Sequence, residues 1–220
     1  MQRSTIIVAG GSGKRMGAPV PKQFMLLNGK PLLCRTIDVF RAYDATMPII
    51  VVLPEAHIPI WKALCIGHGF HTEHSIVAGG EERFHSVRNG IAAVDHNGVV
   101  AVHDGVRPMV SVELIARCFD AAEEHGSAIP VVPISSSVRE VMGGTSRSMD
   151  RSALRTVQTP QCFRVELLNK AFELPYDAAF TDEATLVERT GVTVQLVEGE
   201  DANIKITTPL DLKVAEMLLA

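Results

Sequence analysis

No acidic residue precedes Asp38 in this 220-residue chain, yet the net charge is −4. The same stretch holds Arg3, Lys14, Arg15, Lys22, Lys30 and Arg35. An acidic total argues against general nucleic-acid binding. An acid-free end inside an acidic protein is a local positive field, which suits a small anionic ligand. Long apolar runs are missing too, so no membrane span is expected. The first strand begins almost at the N-terminus, and no secretory signal is expected. Cys34, Cys65, Cys118 and Cys162 lie far apart with no C-x-x-C pair. They are expected to be reduced thiols in a cytoplasmic protein, serving as small buried hydrophobes. No H-E-x-x-H pattern occurs, and no Ser-His-Asp or Cys-His set can be assembled, so covalent nucleophilic catalysis has no support. Linkers, repeats and low-complexity tracts are also lacking, which leaves one domain over residues 1–220.

What is present alternates. Apolar, β-branched runs at Thr5–Ala9, Ile49–Leu53, Ser75–Val77, Val99–His103, Ala128–Pro133 and Thr193–Val197 predict strands. Between them, Leu33, Ile37 and Phe40 share one helical face, as do Leu114, Ile115, Cys118 and Ala122. Leu186 with Val187, and Leu212 with Ala215 and Leu219, suggest two more helices. Strand–helix alternation implies an α/β, Rossmann-like fold: a mainly parallel sheet with helices on both faces. Ligands of such folds bind at the carboxyl ends of the strands. One segment breaks the rhythm. Ser135 to Gln158 is polar and has no helical stripe, and Gly143-Gly144 within it reads as a hairpin turn. A polar two-stranded arm is marginal alone in water, so this protruding β-arm, at about 135–158, is either a flap or a part that packs on another subunit.

At the first strand's carboxyl end stands "VAGGSGKRMGAPVPKQF", Val8 to Phe24. A P-loop reading fails, because Arg15 occupies the magnesium-binding Ser/Thr position and Val8 the first glycine position. A dinucleotide fingerprint needs a helix directly after the glycines, and Pro19 and Pro21 prevent it. The remaining reading is a nucleoside triphosphate cradle. Glycine lets backbone N–H groups close on phosphate oxygens, while Arg15 and Lys22 supply charge. One such charge pair about 4 Å apart contributes on the order of 4 kcal/mol at an effective dielectric near 20.

"HDGVRP" follows another predicted strand and puts Asp104 at its carboxyl end. A carboxylate there can hold Mg²⁺ together with phosphate oxygens, or it can cap the turn through Gly105. His103 reads as a packed strand-end histidine, since no ligand-spaced His or Cys accompanies it. Glu81 and Glu82 read as the start of a helix running to Val94, and Thr181 as the N-cap of another. In "NIKITTPLDL", Ile204 and Ile206 face the core, so Lys205 points the other way.

Taken in order, "AGGSGKRMG…PKQF", "VHDGVRP", "DRSALRTVQTPQCF", "TDEA" and "VEGEDANIKITTPLDL" resemble the 2-C-methyl-D-erythritol 4-phosphate cytidylyltransferases. These belong to the sugar- and polyol-phosphate nucleotidyltransferases, whose fold is of the nucleotide-diphospho-sugar transferase type. The resemblance implies cytidylyl transfer from CTP to that polyol phosphate in the non-mevalonate isoprenoid pathway. It implies that Arg15 and Lys22 hold the triphosphate, and that Ala9, Gly10, Gly11, Gly13, Gly80, Glu81, Ser86 and Gly105 form the CTP site. The family usually has Asp at the Glu81 position. Asp104 would bind Mg²⁺. Arg107, Thr159 and Lys205 would lie on the acceptor phosphate side. Ser137 stands where the family often has Thr, and Arg151 matches a residue donated across a homodimer interface. Two alternatives stay open: a ribitol 5-phosphate cytidylyltransferase, and a nucleotide-sensing module without catalysis.

Overall fold

Runs of β-branched residues with no polar alternation form strands buried on both faces, and the centre of this fold is built from them. In the computed structural model, which describes residues 1–11 and 20–219, β1 (Arg3–Val8) is followed by the two-residue pair β2 (Leu26–Leu27) and β3 (Lys30–Pro31). Next come α1 (Leu32–Tyr43), β4 (Ile49–Leu53), α2 (Ile58–Gly67), β5 (Ser75–Ala78), α3 (Arg83–Ile91), β6 (Val99–Asp104), α4 (Val112–His125) and β7 (Ser127–Pro133). The second half holds β8 (Val138–Met142), β9 (Thr145–Met149), β10 (Arg155–Val157), β11 (Gln161–Arg164), α5 (Val165–Ala171), α6 (Glu183–Glu188), β12 (Leu196–Glu198) and α7 (Pro209–Leu218).

The main sheet has the order β10-β7-β11-β6-β1-β4-β5, with β12 also paired to β7. Strands β10 and β11 run against the rest, and the remaining pairings are parallel. Alternate residues of one strand feed opposite cores, as a period of two requires. Ile7, Val51 and Ala101 join α1, α2 and α4 on one face. Ile6, Val52 and Val102 join α3, α5 and α6 on the other. Among the described residues no helix is long and apolar enough to cross a membrane.

The hairpin turn at Gly143-Gly144 is present, with φ of 49° and 89°, values that favour glycine. It joins β8 to β9 in a separate two-stranded sheet, on which Val141 is 77% and Met142 46% exposed. The arm is shorter than the polar segment suggests, because Arg155–Val157 leaves it to pair with the edge of β7. Two further expectations shift. The helix expected from Glu81 begins at Arg83, with Glu82 extended at its N-cap (φ −116°). Asp182, not Thr181, caps α6, accepting from the Thr185 amide. Lys205 lies outside any strand; the adjacent Ile206 amide bonds the Val106 carbonyl, 2.9 Å.

Candidate active site

The register of the sheet creates the site. Val8 and Asp104 are paired residues at the carboxyl ends of β1 and β6, so the glycine turn after one strand begins beside the carboxylate ending the other. Two cavities open here. The larger, ≈ 260 Å³, is walled by Ala9, Gly10 and Gly11 on one side and by Gly80, Glu81 and Ser86 on the other, with Lys22 also lining it. The smaller, ≈ 180 Å³, is lined by Arg107, Thr159, Gln161 and Thr181 among others. Three residues line both: Arg83, Asp104 and Lys205.

Lys22 is placed by its neighbours. It begins a 3₁₀ turn, Lys22–Phe24, after Pro21. Gln23 is buried, and its Nε2 donates to the Ala9 carbonyl at 2.8 Å. Phe24 stacks on Trp61, centroids 5.9 Å apart, and the Trp61 indole donates to His74, 2.9 Å. A Cβ added at Gly11 would lie 2.9 Å from Lys22 Cε. Glycine there lets the lysine stem cross the turn.

Asp104 is the electrostatic centre. Its Oδ2 accepts from Arg107 Nε at 3.0 Å and faces Lys205 Nζ at 3.1 Å. Burial alone would push its carboxyl up. Lys205, Arg83 and Arg107 outweigh burial and hold it well below the ordinary carboxylate range. Oδ1 takes part in neither contact, and a bound cation could use it.

Behind Asp104 a ring of hydrogen bonds closes through groups the sequence left apart. The Asp104 amide donates to Thr159 Oγ1, 3.1 Å, and that hydroxyl pairs with His103 Nδ1 at 3.0 Å. His103 Nε2 meets the Arg107 carbonyl at 3.1 Å. A carbonyl only accepts, so Nε2 carries the proton and Nδ1 accepts from Thr159. Arg107 also donates to the Asn203 carbonyl, 2.8 Å, and Asn203 Nδ2 to the Thr159 carbonyl, 2.8 Å. Burial lowers His103 from 6.5 to about 4; it is a neutral spacer within the ring.

Most of the residues singled out from the sequence therefore meet. Ala9, Gly10, Gly11, Lys22, Gly80, Glu81, Ser86, Asp104 and Lys205 line the larger cavity, and Arg107 and Thr159 the smaller. Ser86 Oγ is already used in its own turn, accepting from the Gly80 amide at 3.2 Å. Gly105 lines neither cavity. A Cβ there would meet Ala9 Cβ at 3.0 Å and Leu33 Cδ1 at 3.1 Å, so its part is close packing behind the Ala9 turn. Ser137 and Arg151 also line neither; both are exposed at the base of the arm, where Arg151 donates to the Ser135 carbonyl. Gly13 and Arg15 lie outside the described residues. Sequence reasoning assigns no site role to Arg83 or to Glu183 of the "TDEA" motif, which form a forked ion pair with Nη2–Oε2 at 2.7 Å.

The chain has relatives along its whole length. Residues 4–220 match the family IspD, 2-C-methyl-D-erythritol 4-phosphate cytidylyltransferase. The protein of that name from Bacteroides thetaiotaomicron is 50% identical over 219 residues, covering 100% of both chains. Its namesake from Bacteroides fragilis is 51% identical over 219 residues, again with 100% of each covered. The crystal structure of 2-C-methyl-D-erythritol 4-phosphate cytidylyltransferase from Thermus thermophilus is 35% identical, with a TM-score of 0.81 over 99% of this chain and 98% of that one. Sequence and overall fold agree, and the chain belongs to the 2-C-methyl-D-erythritol 4-phosphate cytidylyltransferase family.

Proposed function

We propose that the protein transfers the cytidylyl group of CTP to 2-C-methyl-D-erythritol 4-phosphate, releasing pyrophosphate and giving 4-diphosphocytidyl-2-C-methyl-D-erythritol. The observation that carries this is the pair of cavities joined at Asp104, Lys205 and Arg83. The nucleotide takes the cavity beside the glycine turn, and the polyol phosphate takes the one beside Arg107 and Thr159.

The reaction needs no general base. The acceptor phosphate is already ionised at neutral pH, and one of its oxygens attacks the α-phosphorus while the bond to pyrophosphate breaks. The difficulty is that two anions must meet. Holding them in line contributes roughly 7–11 kcal/mol in the best cases, and fixed cations stabilise the charge that builds on the leaving group. Lys22 and Arg15 are assigned to the triphosphate, and Arg107 and Lys205 to the incoming phosphate. His103 takes no proton in this scheme: it is buried, neutral and already bonded at both nitrogens.

Asp104 fits a divalent cation, which we take to be Mg²⁺. Mg²⁺ is usually held by one or two carboxylates, with waters and substrate phosphates filling the rest. Asp104 is ionised and has Oδ1 outside its two cation contacts. When bound, the ion would neutralise phosphate charge at the junction.

The exposed arm is assigned to a homodimer interface. Val141 and Met142 supply apolar surface, and Arg151 at the arm's base would reach the acceptor cavity of a partner copy. The deciding experiment offers CTP and Mg²⁺ with either 2-C-methyl-D-erythritol 4-phosphate or ribitol 5-phosphate and measures pyrophosphate. Release with the first alone is expected. Release with ribitol phosphate alone, or with neither, overturns the reading.

A further inference from the structure

Of the three residues lining both cavities, only Arg83 has no part in the scheme above. It stands at the first position of α3, and its guanidinium lies against Glu183, which opens α6. The fork uses Nη1 and Nη2, one on each carboxylate oxygen. An Arg side chain has five N–H donors, and this fork occupies two. The other three have no protein acceptor among the described residues, and Arg83 is not among the side chains with sealed, unpaired nitrogens. They belong to a residue that walls the junction.

Glu183 is held from the opposite side. It is 2% exposed, and the turn that carries it is latched to β11. Gln161 Nε2 donates to Asp182 Oδ2 at 2.8 Å, and the Ala184 amide donates to Gln161 Oε1 at 3.0 Å. A carboxylate fixed this firmly sets where the guanidinium stands and which edge it turns outward. A planar guanidinium with N–H donors to spare, at the junction of the two cavities, is suited to gripping phosphate oxygens.

We infer that Arg83 is a further phosphate-binding residue of this reaction, gripping an oxygen at the junction of the two cavities, and that Glu183 is its positioning residue. The inference rests on the proposed cytidylyl transfer. A purely structural tie between α3 and α6 would give the same contacts, so the test must separate the two. In the double variant Arg83→Gln/Glu183→Gln, neither charge is left unpaired and the shape is kept. We expect it to melt within a few degrees of the parent, yet to lose about 100-fold or more in kcat/KM and at least about tenfold in affinity for CTP with Mg²⁺ by calorimetry. Arg83→Lys should recover part of that affinity, and Glu183→Gln alone should cost about tenfold in kcat with the CTP affinity less affected. If the double variant keeps both turnover and CTP affinity within about threefold of the parent, the pair is only a tie and the inference fails. If the parent itself releases no pyrophosphate from CTP and 2-C-methyl-D-erythritol 4-phosphate, the functional reading fails instead, and the CTP titration still judges Arg83.

Discussion

His103 makes the stability of the fold depend on pH in a window that can be worked out. Its ring is wholly buried, and burial lowers its pKa from 6.5 to about 4. The Arg107 carbonyl and the Asp104 charge pull the other way, while the Arg107 and Lys205 charges reinforce the fall. The folded value is the lower one. Between pH 6.5 and 4 the unfolded chain therefore binds a proton that the fold refuses. Stability is whole above the unfolded value and drains away as pH falls through this window. One pKa unit corresponds to about 1.4 kcal/mol, so the full loss is about 3 kcal/mol. His103→Gln removes the titration while keeping a donor for the Arg107 carbonyl and an acceptor for the Thr159 hydroxyl. Urea unfolding of both proteins at about pH 7.5 and about pH 4.5 isolates the effect, because other groups titrate alike in the two. The parent should lose about 2–3 kcal/mol more than the variant. Equal losses would mean that the fold takes up the His103 proton as readily as the unfolded chain does, and the hydrogen-bonded ring as drawn would be wrong.

Lys22→Ala should lower turnover by about two to three orders of magnitude, as loss of a transition-state donor does, with the melting temperature little changed. Gly11→Ala places a methyl group 2.9 Å from Lys22 Cε; steady-state kinetics should show turnover falling about tenfold as the lysine is displaced, and normal kinetics would show the stem free to move. Arg151→Ala should raise KM for the polyol phosphate while leaving KM for CTP alone, and the reverse pattern would remove the arm from the acceptor side. Deleting 138–149 should give monomers in sedimentation, whereas an unchanged dimer would make the arm merely a flap.

The parts legible in the sequence were those whose cause is local. Ile49–Leu53 is a run of β-branched and apolar residues buried on both faces, and it needs no partner to be recognised. Arg155–Val157 and Gln161–Arg164 were hidden for the opposite reason. Each is short, and each becomes a strand only by pairing antiparallel to a neighbour already in the sheet. The site divides in the same way. Asp104 and Lys205 stand in motifs, so their chemistry could be named before any contact was known. Arg83 and Glu183 are 100 residues apart, and no periodicity links them. The packing around Gly105 was equally hidden, because the Ala9 and Leu33 side chains that a Cβ there would meet come from distant parts of the chain.

The aromatic stack under the 3₁₀ turn also gives the enzyme an intrinsic optical reporter. Trp61 is the chain's sole tryptophan, and its ring lies against Phe24, two residues beyond Lys22. Any displacement of that turn when a nucleotide arrives would alter the surroundings of a single indole, whose fluorescence would report it without an attached dye.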